Sequence, residues 1–79
     1  MMARFHELDT VVLMHDHPEA GLRAGDLGAI VHQHTPDRFE VEFVAASGRA
    51  QALLTLGADD LRPVSDDDQI AVRPRRLPG

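Results

Sequence analysis

An all-β fold, a small antiparallel sheet of five short and strongly bent strands, is what this chain predicts, and three features predict it. Gly25 and Gly28 open an apolar run that continues through Ala29-Ile30-Val31. Straight after it, Phe39, Val41 and Phe43 alternate with Arg38, Glu40 and Glu42, the period-two pattern of a half-buried strand. Pro and Gly then punctuate the chain every few residues, which keeps each element short.

Taken in order, the first strand is expected over Leu8 to His15, where the cluster Thr10-Val11-Val12 favours extended backbone. Four apolar residues in a row, Val11 to Met14, conceal which face is buried. Pro18 and Gly21 break the pattern, so residues 16–26 form the longest connection of the globular part. Loops near that length are uncommon in compact domains and often functional. Gly25-Asp26 reads as a tight turn, and Gly28 as a bulge or a close approach of two backbones. The second strand runs from about Leu27 to His34, with Ile30 and His32 on one face and Val31 and Gln33 on the other.

Thr35-Pro36-Asp37 turns the chain into the third strand, whose Phe39 and Phe43 centre the core. Ala45-Ala46-Ser47-Gly48 connects it to a fourth strand over Arg49 to Leu56. Ala and Leu there permit a helix by propensity, but the segment is short and flanked by turn signals. Gly57-Ala58-Asp59-Asp60-Leu61 suits one helical turn. Leu61 to Val64 is the fifth strand, held to a sheet edge by Pro63. These elements describe a five-stranded SH3-like barrel over residues 1–64, with a short helical turn before the last strand. Residues 65–79, rich in charge and Pro, read as a flexible tail expected to be disordered.

Composition narrows the function. Seventy-nine residues make one domain. The net charge is −5, against the basic surface that nucleic acid needs. All of that imbalance lies in residues 1–64, and the tail sets Asp66-Asp67-Asp68 against Arg73, Arg75 and Arg76. No Cys is present, so neither disulfide nor thiolate chemistry is available. No stretch approaches the ~18 apolar residues of a membrane span, and Met1-Met2-Ala3-Arg4-Phe5 opens no signal segment. A cytoplasmic protein that uses neither membrane nor nucleic acid is the expectation.

All five histidines precede residue 35, and His15/His17 and His32/His34 form two His-x-His pairs. Residues i and i+2 on a strand share a face, so each pair offers two imidazoles to one ion. If the first two strands are neighbours, four imidazoles converge. Without Cys that pattern is weak, and the plain expectation is no metal and no cofactor. Glu40 and Glu42 stand on a solvent face with no pocket to separate their acidities. Nothing resembles a phosphate loop or a nucleophile elbow, so the chain is expected not to be an enzyme.

The segments Asp9-Thr10-Val11-Val12-Leu13, Gly21-Leu22 with Gly25-Asp26-Leu27-Gly28-Ala29-Ile30-Val31, Glu40-Val41-Glu42-Phe43, Gly48, Ala52-Leu53-Leu54-Thr55-Leu56 and Asp60-Leu61-Arg62-Pro63 together resemble a bacterial family known as domain of unknown function 4926. The resemblance implies an SH3-like barrel, distantly like those of the nitrile hydratase β-subunit and its accessory proteins, and no established activity. The leading expectation is a small bacterial, non-enzymatic interaction module. It would bind a protein through the first loop (Asp16, His17, Glu19, Arg23) or through an exposed sheet edge beside Glu40 and Glu42, as a monomer or weak homo-oligomer. The alternatives are a metal-handling maturation protein, using His15, His17, His32 and His34, and an acidic antitoxin or immunity protein.

Overall fold

A computed structural model describes residues 5–74. Five strands form a single antiparallel sheet: β1 (Thr10–Leu13), β2 (Leu27–Thr35), β3 (Arg38–Val44), β4 (Ala50–Gly57) and β5 (Leu61–Pro63). Single 3₁₀ turns at Pro18–Ala20 and Ala58–Asp60 are its helical elements among the described residues. The strand order is β4-β3-β2-β1-β5. The sheet curls around its core, but no ladder joins β4 to β5, so the barrel is not closed by hydrogen bonds.

β1 starts two residues later than the sequence pattern suggests. A turn at Glu7–Leu8 places Leu8 at φ 74° and docks its N–H on the Ile30 carbonyl at 2.6 Å. That turn lets Phe5 reach the core, where its ring meets Phe39 edge-on at 5.6 Å. Val11, Val12 and Leu13 are all buried. The apolar run thus has no single buried face: Val11 and Leu13 point into the core, while Val12 lines a groove on the other face together with Leu27, Val64 and Ile70.

Gly28 is a point of close approach. A Cβ there would stand 2.6 Å from Val41 Cγ1 and 2.8 Å from Phe43 Cε1, so any larger residue must displace two buried side chains. Phe39, Val41 and Phe43 face inward with Ile30, Leu56 and Leu61. Glu40 and Glu42 lie on the opposite face, paired with Thr55 and Leu53 of β4.

The alternation expected along β2 fails at Val31. Ile30 opposes Val41, yet His32 opposes Glu40, with a register shift between them. Directly opposed residues share a face, so the bulge sends Ile30 inward and His32 outward instead of leaving both on one side. Sequence alternation assumes one residue per pleat, and the inserted residue breaks that count.

Residues 65–74 contain neither helix nor strand. They are nonetheless tied to the sheet by two arginine–carboxylate pairs, Arg62 with Asp68 and Arg73 with Asp26. The rest of the tail, residues 75–79, lies outside the described residues.

Candidate functional site

The first loop is braced from within. Asp16 Oδ1 accepts a hydrogen bond from the Ala24 N–H at 2.8 Å. His17 and Leu22 exchange two backbone hydrogen bonds. Gly21 and Gly25 adopt φ 72° and 98°, a region costly for residues with a Cβ, and Gly25 N–H returns to the Leu13 carbonyl at 2.7 Å. Asp26 accepts from the Arg23 N–H at 2.9 Å and from the Arg73 guanidinium. Of the loop residues singled out from sequence, Asp16, Glu19 and Arg23 are exposed and His17 is half-buried; Asp16 and His17 nonetheless make hydrogen bonds within the chain, and Glu19 Oε2 lies 3.5 Å from His17 Nδ1.

His15 and His17 hold one carboxylate between them. His15 Nδ1 lies 2.5 Å from Asp60 Oδ1, and His17 Nε2 lies 2.8 Å from Asp60 Oδ2. A carboxylate only accepts, so both ring nitrogens carry the proton in these contacts. The latch ties the end of β1 and its loop to the 3₁₀ turn that launches β5. The Met14 N–H on the Asp60 carbonyl, at 2.8 Å, reinforces it.

The second histidine pair gathers elsewhere. His34 Nε2 lies 3.0 Å from Glu40 Oε1, and the His32 and His34 rings stack edge to face at 4.7 Å. The first two strands are neighbours, but the four imidazoles do not converge. Antiparallel pairing sets Thr10 against Ala29 and Val12 against Leu27, which sends His15 and His17 to one end of the ladder and His32 and His34 to the other. Among the described residues, no three His, Cys, Asp or Glu side chains are placed to hold one metal ion.

The two edges of the sheet differ sharply. β5 has three residues, among them Arg62 and Pro63, and Arg62 is clamped two-pronged by Asp68 at 2.8 and 2.9 Å. The hydrogen bond from Arg62, seconded by the Ser65 N–H, holds the Asp68 carboxyl down at about 2 and raises Arg62 in turn. Arg73 is raised likewise by its hydrogen bond to Asp26. Between these clamps the tail forms one wall of a groove of about 630 Å³, with Val12, Leu27, Val44 and Val64 and the tail's own Ile70 in its apolar lining.

β4 carries none of this protection. Its eight residues, Ala50-Gln51-Ala52-Leu53-Leu54-Thr55-Leu56-Gly57, contain no charge and no Pro. Among the described residues its backbone pairs with β3 and nothing else. Leu53 stands 54% exposed beside Glu42 on the outer face. Native edges are ordinarily blunted by charge, Pro, bulges or shortness; β4 has one bulge, at the hairpin end where Phe43 and Val44 shift register.

Reading residues by local pattern misses Asp60, Arg62, Asp68 and Arg73, whose partners are set by the fold. The uncharged run between Arg49 and Asp59 is visible in the sequence and is the one local signal of a bare edge.

A family model described as "Domain of unknown function (DUF4926)" matches residues 7–63. The chain belongs to that family. No curated protein and no solved structure is significantly similar to it. Among the described residues, no helix is long and apolar enough to cross a membrane.

Proposed function

We propose that this member of the DUF4926 family is a small non-catalytic interaction module that docks an extended segment of a partner protein along the open edge of β4. The observation that carries the reading is the edge itself: eight residues, uncharged and proline-free, at one end of an unclosed sheet. An added strand satisfies the outward N–H and C=O groups of such an edge, and exposed side chains such as Leu53 give the contact its specificity. Glu40 and Glu42 lie one strand in from the edge, opposite Thr55 and Leu53, and frame it with negative charge. The loop supports the edge reading by contrast, because Asp16 and His17 are committed to internal hydrogen bonds.

Capture from host lysate on the tagged chain tests the choice between edge and loop. Leu53→Lys is expected to abolish a stoichiometric partner, while the double change Glu19→Arg/Arg23→Glu leaves capture intact. Loss with the loop variant and retention with Leu53→Lys would move the docking site to the loop.

A further inference from the structure

We infer that the groove beside the tail is a docking site for an arginine-bearing extended segment of another protein, and that Arg73 of the chain's own tail holds the arginine's place until that segment displaces it. The inference does not rest on the β4 edge. Three observations carry it.

The first is a seat shaped for a guanidinium. Arg73 Nε donates to Asp26 Oδ1 at 3.1 Å, and one of its terminal nitrogens donates to Asp26 Oδ2 and to the Gly21 carbonyl, the latter at 3.2 Å. Paired donors on one carboxylate suit the planar fork of Arg, which the ammonium of Lys does not have. Both acceptors come from the first loop: Asp26 is braced by the Arg23 N–H, and Gly21 sits in a left-handed turn at φ 72°. Asp16 adds its negative field, and both Asp26 and Arg73 are half-buried. The loop forms this seat from its own hydrogen bonds, so an arginine from elsewhere finds the same acceptors.

The second is how little else holds the tail. Arg62 and the Ser65 N–H fix Asp68 at one end. Residues 69–72 then run to Arg73, and among the described residues they make no hydrogen bond to the sheet. Ile70 is 67% exposed and Val72 is 96% exposed, whereas Val12, Leu27, Val44 and Val64 line the groove of about 630 Å³ beside them. The tail therefore occupies the arginine seat and leaves the apolar trough open. A segment that supplies an arginine and also lays apolar side chains in the trough gains contacts that the tail lacks, and such a difference in contacts is what drives displacement.

The third is charge. Residues 1–64 hold the whole net charge of −5, a field that draws a basic segment toward this face. Tethering makes Arg73 an intramolecular competitor at an effective concentration on the order of millimolar. An incoming segment is weakened by the fraction of chains whose seat is already taken.

The probe is a capped synthetic peptide of residues 69–74, Gln-Ile-Ala-Val-Arg-Pro, titrated into the full chain and followed by NMR. The Arg73→Gln chain, with its seat vacated, is expected to bind the peptide about tenfold more tightly than the unaltered chain. Amide shifts are expected at Gly21 and Asp26, with methyl shifts at Leu27 and Val44, because the peptide is free of the turn at Asp68. Adding Asp26→Asn should remove binding while keeping an acceptor for the Arg23 N–H, and circular dichroism verifies that each variant folds. No binding to the Arg73→Gln chain, or equal affinity for both chains, overturns the inference. Equal binding of a peptide carrying Arg73→Gln overturns arginine recognition. Shifts confined to Gly21 and Asp26 overturn the groove as a docking site and leave only an internal clamp. Loss of peptide binding with Leu53→Lys would place the peptide on the β4 edge instead. A full chain that dimerises in sedimentation, but not with Arg73→Gln, would make the partner a second copy and overturn the assignment to another protein.

Discussion

The two ends of the sheet are built from opposite materials. At the β5 end, three residues are surrounded by charge: the His15–Asp60–His17 latch on one side and the Arg62–Asp68 clamp on the other. At the β4 end, eight apolar and polar residues run without a single charge between Arg49 and Asp59. The difference teaches where this small domain gains order. Most of its long-range polar contacts draw the loop, the 3₁₀ turn and the tail onto β1 and β5; β4 contributes a single one, from Gln51 Nε2 to the Gly21 carbonyl at 3.3 Å, among the described residues.

The largest contrast should come from paired leucines. Leu61 in β5 is 5% exposed and sits in the core; Leu61→Ala is expected to cost about 2–5 kcal/mol in urea unfolding. Leu53→Ala on β4 should stay within about 0.5 kcal/mol. Equal losses at the two positions would erase the distinction between a structural edge and an associating one. Next comes the latch: Asp60→Ala removes two hydrogen bonds, but the His15 ring is 69% exposed and rehydrates, so the loss should be about 1 kcal/mol. Amide exchange should quicken at Leu22 and Gly25, while β4 exchanges as before. Uniform quickening across the sheet would show that the latch supports the whole fold and not the β5 end in particular.

The smallest effect is the pH response of the tail clamp. Asp68 is lowered from an ordinary value near 3.8 to about 2 by its hydrogen bonds from Arg62 and the Ser65 N–H. A depressed carboxyl contributes fully above its unfolded value, and the contribution fades as pH falls toward its folded value. The methyl resonances of Ile70 and Val72 should therefore hold their positions from neutral pH to about 4 and move between about 4 and 2. Movement centred near pH 6 would assign the tail's attachment to a histidine instead.

Much of the fold was legible because its signals are local. Alternation marks β3, Pro63 confines β5 to an edge, and the bare Cα of Gly28 fits where Val41 and Phe43 crowd β2. The site was less legible, because its contacts join residues far apart in the chain. Asp60 lies 45 and 43 residues from the two histidines it holds, and Arg73 lies 47 residues from Asp26. Nothing near His15 announces its carboxylate, so a His-x-His pair reads equally as a metal ligand or as half of a latch. The bulge at Val31 is hidden for a related reason: it exists only relative to the partner strand.

That bulge has a consequence for how freely the sequence can drift. Up to Ile30, β2 contributes to the core; beyond it, residues 31–38 are all exposed. Across from this stretch β3 stays paired with β4 up to the turn and keeps Phe39 in the core, so it is the outer half of β2 alone whose side chains face solvent. Substitutions over residues 31–36 should spread among relatives without loss of the fold, whereas an insertion at Asp37 would disturb its carbonyl's hydrogen bond from the Ala58 N–H. That half-strand is a stretch that selection can rewrite while the scaffold beside it stays the same.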